Sequence, residues 1–136
     1  MKKFVMATLA GYVVLMATDY LVHSVLLMSD YAAIPASHRT TEGIMHRFWI
    51  MALGQLFFAA AFAWIYQRGM EAKPWLAQAI RYATVATFLT VVPYSLGEYV
   101  VYIVPYQLAI KWMVAGAIQL ALMAMIVAAI YNDQRT

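Results

Sequence analysis

Four apolar stretches, residues 4–28, 48–67, 76–104 and 106–131, take up most of this chain. Each is long enough for a helix to cross the roughly 30 Å hydrocarbon core of a bilayer. A segment in lipid has no water to satisfy its backbone N–H and C=O groups, so stretches of this kind are helices. The expected fold is therefore an all-α integral membrane protein: a single domain over 1–136, built as a four-transmembrane-helix bundle of two hairpins. The breakers fall between the stretches: Ser29, Asp30 and Pro35 after the first, Arg68-Gly69 and Lys73-Pro74 after the second, and Pro105 after the third. Thr41 is placed to cap the second helix, with Glu42 in its first turn against the positive helix end.

Composition agrees. Charged residues are 11% of the chain and hydrophobic ones 65%, where a soluble domain carries roughly 25% charged side chains. There are no cysteines, which rules out disulfides, thiolate metal sites and cysteine nucleophiles. The net charge of +3 comes from Lys and Arg at segment ends rather than from a basic patch with interleaved aromatics, so no nucleic-acid partner is expected. Lys2 and Lys3 precede an apolar run too long for a cleaved signal peptide, and it is read as a retained span.

Lys and Arg also set an orientation. Lys2, Lys3, Arg68, Lys73, Arg81 and Arg135 fall on one side, and Arg39 and Arg47, with Lys111 nearby, on the other. Both termini are thus expected in the cytoplasm and the loop 29–47 outside. Trp64, Tyr66, Trp75 and Tyr131 would form an inner aromatic belt, and Tyr31, Trp49, Tyr106 and Trp112 an outer one.

Close helix packing in lipid relies on small residues. Ala117, Ala121, Ala124 and Ala128 make one stripe, Ala52, Ala59 and Ala63 another, and Ala7 and Gly11 offer a third surface. These are expected to pack the bundle or a dimer. The second and fourth helices also echo each other, Trp49, Gly54 and Gln55 against Trp112, Gly116 and Gln119.

Charged side chains within a span cost at least about 2.5–3.5 kcal/mol near its centre. Asp19, His23, Glu98 and Lys111 are nonetheless retained. At about 1.5 Å per residue, Asp19 lies about 4–5 Å outward of its span's middle and the other three about 10–12 Å. Asp19 and His23 are four residues apart and share a helix face. Thr84, Thr87, Tyr94, Glu98 and Tyr102 stripe the third helix, and Pro93 is expected to free the Leu89 carbonyl and kink the helix there. Gln55 and Gln119 are placed to hydrogen-bond across helices nearer the middle. These residues suggest a polar cluster of Asp19, His23, Glu98 and Lys111, ringed by Tyr94, Tyr99 and Tyr102 and opening toward His38 and His46. It would either lock the bundle, with a carboxylate paired to Lys111, or serve a proton, an ion or a ligand.

More specific chemistry has thinner support in the sequence. Asp19, His23, Glu98 and His46 are metal-ligating types, but no second His-containing pair answers Asp19 and His23 as in helix-bundle di-metal sites. Haem would require His23 and His46 to approach each other from neighbouring helices. Neither cofactor is favoured. Ser24 and Ser95 lack the strand–turn–helix setting of a hydrolase nucleophile, and the six glycines form no phosphate loop, so the reading leans away from an enzyme.

The run WIMALGQLFFA from Trp49 and the run VAGAIQLAL from Val114 resemble the second and fourth helices of small bacterial four-helix inner-membrane proteins of unknown function. The resemblance implies fold and an inner-membrane location, with no functional residue attached. Two functions stay open, and the sequence favours the first. One is a small accessory or structural subunit, bound by its apolar faces to larger membrane partners or to itself. The other is a membrane-embedded proton, ion or lipophilic-ligand site, in a transporter or membrane enzyme, built on Asp19, His23, Glu98 and Lys111.

Overall fold

The computed structural model describes residues 1–34 and 39–132. All its regular elements are helical. The first span runs as α1 (Lys2–Asp19) into a π-helical turn, π1 (Tyr20–Leu26), and a short helix α2 (Met28–Ala32) follows. The second span is α3 (Thr41–Arg68). The third is α4 (Trp75–Ala86), a second π-helical turn π2 (Thr87–Val91) and α5 (Val92–Val101), and the fourth is α6 (Tyr106–Asn132). Four helices are thus long and apolar enough to cross a membrane: Lys2–Leu26, Thr41–Arg68, Trp75–Val101 and Tyr106–Asn132.

The boundaries differ from the sequence expectation in instructive ways. The outer loop 29–47 contains the short helix α2, which the sequence does not signal, while α3 begins at Thr41, close to the cap expected there. The cap of α3 is Thr40 rather than Thr41: its hydroxyl accepts a hydrogen bond from the Gly43 N–H at 3.2 Å, a partner three residues on. The third span stops at Val101, because Tyr102 is extended, and a turn through Pro105 starts α6. Pro35, Ser37, His38 and Arg135 lie outside the described residues.

Both π turns have local causes. Pro93 cannot donate to the carbonyl four residues back, and its ring crowds that carbonyl. The helix answers by widening at 87–91, just before the proline, with i→i+5 bonding. Thr87 and Thr90 spend their hydroxyls on the Ala83 and Ala86 carbonyls at 2.8 and 2.7 Å, and Thr84 bonds Ile80. Those threonines are therefore local supports of the helix, not the polar stripe expected of them. In π1, Leu27 N–H reaches the Val22 carbonyl at 2.8 Å, and the chain then turns into α2.

The closest backbone approaches are α1 with α3, α1 with α6, and α4 with α6. Two glycines allow them. A Cβ on Gly11 would stand 2.8 Å from Met123 Cε, and one on Gly116 would stand 2.7 Å from Val91 Cγ1. Gly54, which the internal echo aligns with Gly116, has nothing within 4 Å. The core fills the half of the bundle nearer the chain termini. Ala7, Ala59, Ala63, Ala79, Ala124 and Ala128 are buried there, so part of each small-residue stripe packs as expected. Ala52, Ala117 and Ala121 are only partly covered.

At that terminal end the expected inner belt divides. Trp64 and Trp75 are exposed, Trp64 with Arg68 4.8 Å from its ring. Tyr66 and Tyr131 are each 2% exposed, with ring centroids 5.8 Å apart, and belong to the core. Tyr82 packs edge-on against Tyr66 and donates to the Phe62 carbonyl at 2.8 Å, joining α3 to α4. Depth alone assigned these tyrosines to an interface, and the side of the helix they occupy decides otherwise. Buried Gln78 holds the turn at 69–74 by donating to the Gly69 carbonyl at 2.9 Å.

Candidate functional site

Away from the terminal core the four spans diverge around a cavity of about 720 Å³. α1 and π1 contribute Leu15, Asp19 and His23, α3 contributes Gln55 and Phe58, and α6 contributes Trp112, Ala115 and Gln119. From π2 and α5 come Val91, Tyr94, Ser95 and Glu98, and Tyr31 of α2 also lines it. A small-molecule pocket of this size is typically apolar with a few converging polar groups. Here Leu15, Phe58 and Leu120 supply the apolar part.

Asp19 is fixed by amides from two helices. Gln119 Nε2 donates to its Oδ1 at 2.8 Å and also to the Leu15 carbonyl at 3.1 Å, and Gln55 Nε2 donates to Oδ2. The two glutamines do act across helices, and their common acceptor is Asp19. Such charge-assisted bonds are what a partly buried carboxylate requires. The Gln55 carbonyl oxygen is buried without a hydrogen-bond partner.

His23, Tyr31 and Trp112 form a chain at the other side of the cavity. His23 Nδ1 lies 2.5 Å from the Tyr31 hydroxyl, which accepts from Trp112 Nε1–H at 2.8 Å. Burial, the largest influence, pushes Tyr31 above the ordinary tyrosine pKa of 10.0, with the bond from Trp112 acting the other way, so its hydroxyl keeps a proton to give. An indole can only donate. With Trp112 donating to the hydroxyl, Tyr31 can give its own proton to His23 Nδ1 when the ring is in its Nε2–H tautomer. The His23 and Tyr31 rings are near-parallel at 14°, with centroids 5.9 Å apart.

The structure thus brings four of the expected site residues, Asp19, His23, Glu98 and Tyr94, to one cavity. Four others stand apart. Lys111 turns away and binds both carboxylate oxygens of Asp30, at 2.7 and 2.8 Å. The expected pairing of Lys111 with Asp19 or Glu98 is replaced because α2 offers a carboxylate nearer the bundle surface, where pairing costs less desolvation. Tyr102 ends α5 exposed and lines no part of the cavity, and Tyr99 is also exposed. His46 is exposed on α3 and does not line the cavity, so it does not join His23 there. Among the described residues no group of three or more His, Asp or Glu side chains is placed to hold a metal ion.

Sequence reasoning missed Tyr31 and Trp112 as site residues, placing both in an aromatic belt at the right depth. No spacing signal marks them, since Tyr31 reaches the cavity only because the chain leaves π1 and re-enters as α2. No protein-family model matches this chain, and no curated protein or solved structure does either.

Proposed function

We propose that this protein is a multi-pass membrane protein whose cavity binds a small, partly apolar molecule. One observation carries the reading: a 720 Å³ cavity into which polar groups from all four spans converge. A cluster serving only to lock the bundle gains from closing on itself, because a dry, well-filled interior leaves no polar atom unpaired. Here the close packing lies in the alanine and tyrosine core, and the polar groups, although Asp19 ties α1 to α3 and α6, border open space.

On this reading the four helices cross a bacterial inner membrane, and the Lys and Arg at the segment ends put both termini in the cytoplasm. The cavity then lies in the outer half. Entry from lipid is available between α3 and α5, which are not among the closely packed pairs. The protein acts as a carrier or sensor of its ligand, and no bond-breaking step is assigned to it. Exposed side chains such as Val13, Phe57, Phe88 and Leu89 are what lipid requires of a bundle's outer face and do not call for a larger partner.

The test uses a compact neutral probe, 1-adamantanol, in equilibrium dialysis against the protein in mild detergent with empty micelles subtracted. Saturable binding that disappears in Ala115→Phe, which fills the cavity, is the expected result. Binding indifferent to Ala115→Phe, or none above empty micelles, would overturn the proposal.

A further inference from the structure

Resting on that reading, we infer that the cavity selects a cation, specifically a protonated amine carried on a compact apolar body. The polar groups of the cavity differ in how much of their capacity is used. Some donors are spent: Gln119 uses its amide on Asp19 and Leu15, Gln55 gives an N–H to Asp19, and Trp112 gives its only one to Tyr31, while His23 and the Tyr94 and Ser95 hydroxyls also line the cavity. Acceptors remain. The Gln55 carbonyl oxygen is buried and unpartnered, and among the described residues no side chain hydrogen-bonds or pairs with the Glu98 carboxylate. A ligand that completes this set must bring hydrogen-bond donors.

Charge points the same way. Asp19 and Glu98 both line the cavity, whereas the one lysine of α6 is held outside by Asp30. Among the described residues His23 is the one imidazole lining the cavity, and its Nδ1 is engaged by the Tyr31 hydroxyl. Trp112, Tyr94 and Phe58 border the same space, and an aromatic ring that turns its face to it favours a cation over an anion. In this scheme Asp19 is a fixed acceptor at the cavity's depth, and Glu98 is the carboxylate that meets the ammonium.

Three adamantanes share one hydrocarbon body and differ in charge: 1-adamantylamine, protonated at pH 7, neutral 1-adamantanol, and adamantane-1-carboxylate. The amine is expected to bind about tenfold or more tightly than the alcohol, with the carboxylate weakest. In Glu98→Gln the amine's preference should fall to within about twofold of the alcohol. Retained alcohol binding in that variant shows that the fold is intact. Equal binding of amine and alcohol in the unaltered protein, or a preference that survives Glu98→Gln, would overturn the inference while leaving the cavity reading standing. If no adamantane binds above empty micelles, both fall.

Discussion

Replacing Gly116 by alanine should destabilise the bundle, and the same replacement at Gly54 should not. An added Cβ at Gly116 would meet Val91 Cγ1 at 2.7 Å and Cγ2 at 3.0 Å. Val91 is β-branched, with χ1 restricted by its own helix, so it has little room to turn away. Forcing a methyl into such a contact costs about 1–3 kcal/mol, against a gain of about 0.5–1 kcal/mol for alanine over glycine within a helix. The net expectation is a loss of up to about 2.5 kcal/mol, centred on about 1 kcal/mol. At Gly54 nothing lies within 4 Å, so only the gain of up to about 1 kcal/mol applies. Gly11 falls between, since its neighbour is the flexible end of Met123. The assay is reversible unfolding in mixed micelles followed by helicity, with Val91→Ala as a partner mutation. Removing the two Val91 methyls should abolish the penalty, so that Gly116→Ala costs nothing in the Val91→Ala background. If Gly116→Ala and Gly54→Ala shift stability equally, or if Val91→Ala gives no relief, the packing of α6 on π2 described here is wrong.

Three further outcomes follow from named contacts. Gln119→Leu removes an amide donor from Asp19 and should cost about 1.5–3 kcal/mol, falling below about 1 kcal/mol in an Asp19→Leu background; equal costs in both backgrounds would refute the pairing. Tyr31→Phe leaves the Trp112 indole N–H and His23 Nδ1 without their shared hydroxyl and should cost about 1–2 kcal/mol in the same unfolding assay, where no change would be contrary. Glu71, exposed in the turn 69–74, is held below its ordinary pKa of 4.5, first by the hydrogen bond from Lys73 and further by the charges of Arg81 and Lys73. A depressed carboxylate contributes stability that is present above 4.5 and is lost as pH falls through its folded value. The melting-temperature advantage over Glu71→Gln should therefore shrink on acidification below that point, and an advantage that persists there would contradict the pairing.

Much of this fold is legible in the chain because length and hydropathy depend only on composition along the sequence. Four stretches of the right length become four helices, with α3 ending at Arg68 beside Gly69 and the third span stopping at Val101, short of Pro105. Small residues also revealed packing, since Ala124 and Ala128 on α6 and Ala59 and Ala63 on α3 are buried. Depth was readable too: Asp19, His23 and Glu98 meet at one end of the bundle. What the sequence did not carry was azimuth. Tyr66 and Tyr131 lie near the ends of their helices but are buried in the core, and Lys111 pairs with Asp30 rather than with Asp19 or Glu98. Each π turn adds rotation that a regular 3.6-residue count does not include. The side chains that partner Asp19 and His23 depend on that rotation and on the path of α2, and neither leaves a periodic trace.

The central claim is that the Asp19–Glu98 cavity is open and lies in the outer half of a membrane-spanning bundle. The chain has no cysteine, so a single Ala115→Cys, in the cavity wall, reports on that space alone, with Ala124→Cys in the packed core as its control. Intact cells and inside-out vesicles are each exposed to a small, membrane-impermeant, positively charged methanethiosulfonate. The account expects Ala115→Cys to react in intact cells, more slowly in inside-out vesicles, and Ala124→Cys to stay unmodified in both. An Ala115→Cys as inert as Ala124→Cys, or one modified only from the cytoplasmic side, would contradict it.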